Sequence, residues 1–174
     1  MHGRDLFGPG RREREYVFAA RDRADETVDR IRSARSARFK YIRNHYPTRP
    51  WLQPNRYKDE KAILGTMRRL HAAGALDAAQ SWIMAGERPR EELYDLEADP
   101  HELRNLAGDV AWAGELARHR AALEQWTQAH GDAGATPEGE DAYVSNAMRD
   151  NAGPVIRSNV ELMLRWARER PMEP

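Results

Sequence analysis

Glu92-Leu93-Tyr94-Asp95-Leu96-Glu97-Ala98-Asp99-Pro100-His101-Glu102-Leu103-Arg104-Asn105-Leu106-Ala107 is the stretch that decides how this chain folds. Its first five residues, Glu92 to Leu96, read as a strand that delivers Leu93 and, at its end, Leu96 to a core. Asp99 then stands where an N-cap belongs, with Pro100 at the first helical position and the acid Glu102 at the third. That spacing predicts a short helix through Leu103 and Leu106 that turns the chain back. A single strand leaves its backbone groups unpaired, so partners for it must lie elsewhere in the chain.

Both flanks supply them. Downstream, Trp112, Leu116, Leu123 and Trp126 recur at steps of four, seven and three, which predicts a long helix over Ala111 to His130 whose apolar stripe needs a sheet to cover. Upstream, Val28 to Ser33 and Arg38 to Asn44 are β-rich and predict an antiparallel hairpin. Tyr16 to Ala20 adds a short apolar strand that ends in the charged loop Arg21-Asp22-Arg23-Ala24-Asp25-Glu26. The fold class is therefore α+β, with an antiparallel sheet of three to four strands packed against a long helix on its C-terminal side.

Pro47, Pro50 and Pro54 around Trp51 and Leu52 forbid regular structure between the hairpin and the next helix. From Lys58 to Ala73, Ile63, Leu64, Met67 and Leu70 follow helical spacing and Gly74 stands at the C′ position. Asp77 and Gln80 cap a second short helix bearing Trp82 and Ile83, which stops near Gly86. These two helices form an insertion spanning about 55–86. Gly131 to Gly139 reads as the start of a flexible linker, and Ile156, Val160, Met163 and Ala167 define a last amphipathic helix that Pro171 ends. The expected organisation is a connector over 1–15, a main unit over 16–130, a linker over 131–153 and a terminal helix over 154–174. No internal repeat is present.

The chain has 174 residues, 28 basic against 28 acidic, and no cysteine. Its mean hydropathy is -0.88. Lack of cysteine excludes disulfides, thiolate catalysis, iron–sulfur clusters and Cys-bound zinc within these residues. Zero net charge removes the global electrostatic case for nucleic acid or membrane surfaces, so any such function must be local. Charges crowd the first fifteen residues where an export signal would need an apolar run, and no stretch approaches the ~18 apolar residues of a membrane span. A soluble chain with no membrane partner is expected.

One such local patch exists. Between Asp29 and Arg49, Arg30, Arg32, Arg35, Arg38, Lys40, Arg43 and Arg49 face only Asp29, with Phe39, Tyr41 and Tyr46 interleaved. An anionic partner is conceivable there, but no Gly-aromatic run typical of sheet-based RNA readers occurs, and arginines paired with acids elsewhere explain the same pattern. The six histidines show no spacing that aims two imidazoles at one metal. His101, in the first turn of the capped helix, and His119, on the polar side of the long helix, are expected in solvent. Asp22, Asp25 and Glu26 form an acidic group of the kind that coordinates calcium or transfers protons, but flanking Arg21 and Arg23 favour ion pairing. No metal site is expected.

The order of Arg21-Asp22-Arg23-Ala24-Asp25-Glu26, Arg38-Phe39-Lys40-Tyr41-Ile42-Arg43-Asn44 and the Glu92–Ala107 stretch resembles the C-terminal subdomain of the sulfatase family, of the N-sulphoglucosamine sulphohydrolase C-terminal kind. The resemblance runs from about Met1 to His130. Even Met1-His2-Gly3-Arg4-Asp5-Leu6 resembles the M-x-G-x-S-L linker that leaves the family's catalytic domain, with Asp5 where Ser is usual, so that Met1 reads as internal to a longer chain.

The resemblance implies an incomplete part of an alkaline-phosphatase-like sulfatase fold, docked in cis on a catalytic domain. Family enzymes hydrolyse sulfate esters or sulfamates with calcium and a formylglycine made from a C/S-x-P-x-R motif. This sequence has no cysteine, and none of its prolines follows a serine by two positions, so the motif is absent. No catalytic residue is carried over, no cofactor is expected in this chain, and it is expected to be inactive alone. A sulfated substrate would be bound only by the full enzyme, and full-length relatives are often exported. Leu93, Tyr94, Asp95, Leu96, Asp99, Pro100, Glu102, Asn105 and Leu106 are expected to be structural. The loop bearing Arg21, Asp22 and Arg23 is expected at the substrate entrance, with an arginine on the substrate and Asp22 orienting it. The rival expectation is a free-standing module that binds an anionic partner through Arg30 to Arg49.

Overall fold

The structure, a computed structural model, describes residues 7–9, 12–24, 26–136, 139 and 154–168. Four strands, β1 (Val17–Ala24), β2 (Thr27–Arg35), β3 (Phe39–Asn44) and β4 (Glu91–Asp95), form one antiparallel sheet in sequence order. The helices are α1 (Arg56–Asp59), α2 (Ala62–Ala72), α3 (Ala78–Ile83), α4 (Ala113–His130) and α5 (Pro154–Ala167). The α+β expectation holds, and so do the hairpin, a helical insertion and the long helix, but the single helix expected from Lys58 to Ala73 is divided into α1 and α2. Pro171 and the linker residues 137–138 and 140–153 lie outside the described residues, as do Met1 to Leu6.

Strand alternation builds the core. Phe18, Ala34, Phe39, Tyr41 and Leu93 point to one face, and α4 lays Leu116 and Leu123 across it. Aromatic rings seal the seam: Phe18 stacks on Trp126 at 5.2 Å between centroids, and Phe39 meets Trp112 at 5.3 Å. Removing a methyl-rich side chain such as Leu123 from this seam falls in the class that costs about 2–5 kcal/mol.

His119 is the exception to its expected place. It is fully buried, three residues after Leu116 and four before Leu123, on the apolar side of α4. Its Nδ1 lies 3.0 Å from Glu115 Oε1 and its Nε2 lies 3.2 Å from Ser36 Oγ in the β2–β3 turn. The ring sits edge-on to Tyr16 at 5.1 Å. The step of three from Leu116 places it against the sheet, and the turn hydroxyl gives the buried nitrogen a partner.

The deciding stretch is half as expected. Leu93 is in the core, but β4 ends at Asp95 and Leu96 falls in a turn, its N–H donating to Arg38 O at 2.8 Å. The predicted helix from Asp99 does not form: Glu102 takes a left-handed φ of 57°, and Asp99 Oδ2 accepts from the N–H of Arg104 at 2.8 Å. His101 is exposed, as expected, but in that turn. Asn105 supplies the physical reason. Its Oδ1 accepts from Leu93 N at 3.0 Å, its Nδ2 donates to Glu91 O at 3.0 Å, and Leu106 N donates to Leu93 O at 2.8 Å. β4 is an edge strand with open backbone groups, and satisfying them outweighs the capping signals.

Helix α2 ends in the predicted way. Gly74 has φ 65°, and the N–H of Ala75 donates to Leu70 O at 2.9 Å, a Schellman closure that only a residue tolerant of positive φ makes without strain. Asp77 and Gln80 form the capping box of α3, and Trp82 on α3 packs against Trp51 at 5.0 Å.

Candidate functional site

The segment Arg21-Asp22-Arg23 lies within β1, not in a loop, because the strand continues to Ala24 and pairs with β2 as far as Thr27. An irregularity in the ladder between Arg21 and Arg23 sets three steps of β2 against two of β1. Such a bulge re-aims side chains at the end of a sheet. Alternation sends Arg21 and Arg23 to one face of β1 and Asp22 to the other. Asp22 forms an ion pair with Arg32, at 2.7 Å.

Arg32 is the hub of this end of the sheet. It is buried, and it donates to Asp132 Oδ1 at 2.5 Å, while Arg30 holds Asp132 Oδ2 at 2.8 Å. Burial opposes the Arg32 charge, but the hydrogen bonds to Asp132 and Asp22 more than offset it and raise its pKa. Asp132 is pushed up by burial and down further by Arg32 and Arg30, and the net direction is down. Gly134 lies so close that a Cβ there would collide with the Asp22 and Arg32 side chains. The described start of the expected flexible linker is thus clamped onto the sheet, in a 3-10 turn over Ala133–Ala135.

His45 follows β3, buried beside this hub. Burial first, then the charges of Arg30, Arg43 and Arg32, lower its pKa to about 4, so it is a neutral imidazole at pH 7. A second group of buried polar side chains is bonded together. Asp29 pairs with Arg88, both almost fully buried, and Gln53 Nε2 donates to Asp29 Oδ2 at 2.6 Å. Thr27 Oγ1 donates to Pro54 O at 2.6 Å, and Glu26 accepts from Arg56 N at 2.6 Å and Asn159 Nδ2 at 3.2 Å. Arg49, fully buried, donates to Val28 O and to Trp166 O on α5, with its guanidinium 3.6 Å from the centre of the Tyr46 ring.

Most of the basic stretch is paired within the chain. Besides Arg30 and Arg32, Arg38 grips Asp95 with two bonds of 3.0 and 2.6 Å, Lys40 reaches Glu102 at 2.7 Å, and Arg43 reaches Glu124 at 3.0 Å. On the face away from α4, Tyr94 donates to Glu92 at 2.5 Å and Asn44 donates to the same carboxylate at 2.6 Å. Desolvation, then the Glu92 carboxylate, raises the Tyr94 hydroxyl pKa. The motif residues Tyr94, Asp95, Glu102 and Asn105 are thus all engaged in intrachain bonds, and Pro100 stands exposed in the turn after Asp99.

Glu115, His119 and Ser36 lie in the order of an acid–base–nucleophile relay, which sequence spacing did not suggest. Their surroundings make them a latch between turn and helix. Ser36 Oγ accepts from Phe39 N at 3.0 Å, and His119 is closed in by the Tyr16 and Phe39 rings. Among the described residues no group of three or more His, Asp or Glu is placed to hold a metal. Asp22 and Glu26 are committed to Arg32 and to amide donors, and Asp25 lies outside the described residues. Among the described residues the acids of this group are thus taken by protein donors, and the sequence lacks the C/S-x-P-x-R precursor of a formylglycine.

No family model matches the sequence. The chain is 38% identical over 141 residues to the ulvan-active sulfatase of Formosa agariphila, covering 80% of this chain and 24% of that protein. Among solved structures it is similar to BT1596, a 2-O GAG sulfatase, at 20% identity and TM-score 0.42, covering 84% of this chain and 21% of the other. A protein of Bacteroides thetaiotaomicron VPI-5482 assigned to the sulfatases matches at 20% identity and TM-score 0.40 with the same coverage. The chain spans about a quarter of the length of the curated relative it matches, and over that span it is the homologue of a sulfatase.

Proposed function

We propose that this chain is the C-terminal subdomain of a sulfatase, of the N-sulphoglucosamine sulphohydrolase C-terminal kind, which supports a catalytic domain and shapes its substrate cleft. The observation that carries this reading is the 38% identity over 141 residues to a sulfatase of which those residues match 24%. The dense intrachain pairing at the β1–β2 end suits a rigid platform and leaves little of the basic stretch for an anionic partner, which counts against a free-standing binding module. The catalytic domain, with its calcium and formylglycine, is the partner in this reading. A sulfated substrate is contacted only in the assembled enzyme, and neither nucleic acid nor membrane is a partner.

Arg21 and Arg23 are the cleft-facing residues in this proposal. Asp22 no longer orients either of them; it secures the strand end through Arg32. The domain boundaries 1–15, 16–130, 131–153 and 154–174 belong to the same proposal. A chimera tests it: this chain replaces the matching 141 residues of the ulvan-active sulfatase. A soluble chimera that retains sulfatase activity supports the reading. A chimera without activity, together with tight binding of the isolated chain to heparin or DNA, overturns it in favour of the module.

A further inference from the structure

Helix α2 is amphipathic but has little to pack on. Ile63, Met67 and Leu70 recur at i, i+4 and i+7, so they share one stripe. On α2 only Leu64 is buried, whereas Ile63 is 69% exposed and Leu70 40%. Tyr57, on the adjoining α1, is 67% exposed under the Lys61 ammonium, which lies 4.1 Å from its ring centre. Helix α4 shows the contrast: its stripe is covered by the sheet. A folded chain rarely leaves aligned large apolar residues in water without a partner for them.

The rim of this stripe is basic. α1, α2 and the link between them carry Arg56, Lys58, Lys61, Arg68 and Arg69 against Asp59 and Glu60, and those two acids are paired with Arg68 and Arg56. A second copy docked about a twofold axis would set this positive rim against itself. The chain matches 24% of its relative, so about three quarters of such a protein lies outside the matched span and is a large body for this unit to pack on.

We infer that the Tyr57–Ile63–Met67–Leu70 stripe is a docking face for the catalytic portion of the sulfatase, onto an apolar patch with an acidic rim. This rests on the function proposed above and adds to it the surface that carries the contact. Apolar burial at the centre supplies the affinity, and the charged rim sets orientation and partner choice.

The test uses Ile63→Glu, Leu70→Glu and the double variant, in the full chain and in the chimera. In the isolated chain each should leave the urea midpoint unchanged, because these side chains are exposed, and lower the fluorescence of a bound hydrophobic dye. In the chimera the double variant should lower the thermal midpoint by several degrees and reduce activity at least tenfold, while Glu87→Lys, at an exposed site outside the stripe, leaves both unchanged. An active chimera indifferent to the double variant overturns the docking face and leaves the function standing. A parent chimera with no activity, together with tight binding of the isolated chain to heparin or DNA, removes the function and this inference with it. Loss of stability in the isolated chain would mean the stripe is packed internally, and a dimer that the variants dissociate would mean a second copy covers it; either overturns the inference.

Discussion

Asp29 and Arg88, fifty-nine residues apart, meet as an ion pair whose side chains are 0% and 1% exposed. Asp29 sits on β2 at the ladder irregularity, and Arg88 lies just before β4, so the pair ties the loop after the helical insertion to the sheet. Gln53 and the Tyr46 carbonyl complete it, Gln53 donating to Asp29 and Arg88 donating to Tyr46 O.

Removing one partner leaves a buried charge without compensation, which typically costs about 3–5 kcal/mol. Arg88→Met and Asp29→Ala should each lower the urea unfolding free energy by roughly that amount. Surface-pair variants such as Arg56→Ala should change it by less than about 1 kcal/mol. Equal effects from both classes would show that the buried pair does not anchor the loop.

Acid should destabilise the protein through His45. Its pKa is 6.5 in the unfolded chain and about 4 in the folded one, lowered by burial and then by Arg30, Arg43 and Arg32. Between those values the unfolded state holds the extra proton, so stability is complete above pH 6.5 and falls as pH drops toward 4. His119, lowered chiefly by burial, acts in the same direction. Urea midpoints from pH 7 to pH 4 should show this decline, and His45→Gln should flatten it. An unchanged slope would assign the decline to other groups.

The Asp132 clamp should depend on Gly134. Gly134→Ala drives a Cβ into the Asp22 and Arg32 side chains, and overpacking of this kind costs about 1–3 kcal/mol. Asp132→Ala leaves Arg32 with Asp22 as its remaining carboxylate and should cost a similar amount. If the two losses do not add in the double variant, they report one contact.

The purified chain should hydrolyse no aryl sulfate, with or without calcium. Sulfatase-scale catalysis needs barrier reductions on the order of 8–23 kcal/mol, and this sequence holds no formylglycine precursor. Turnover above a heat-denatured control would refute a supporting role.

Arg21→Ala and Arg23→Ala, made singly in the active chimera, should reduce kcat/KM by roughly 1–3 kcal/mol, and more for the natural substrate than for a small aryl sulfate. Losses equal on both substrates would make these residues structural.

Local chemistry sufficed for much of this protein. The period of Trp112, Leu116, Leu123 and Trp126 determined α4, the β-rich runs determined the hairpin, and Gly74, Asp77 and Gln80 determined where the insertion helices end and begin, because each is settled within one turn or one strand. The signal for a buried His119 was also present, in its three-residue step from Leu116, and was masked by its polarity. Tertiary structure decided what depends on partners far along the chain. The cap signals at Asp99 to Glu102 lost to the open edge of β4, which Asn105 and Leu106 satisfy instead. Arg21 to Ala24 became strand because β2 pairs with them, and Asp22 turned to Arg32 and left its sequence neighbours. The pairing of the basic residues with Asp95, Glu102, Glu124 and Asp132 links positions too distant for any periodicity to join, since a charge finds its counter-ion only after the sheet has brought the two together.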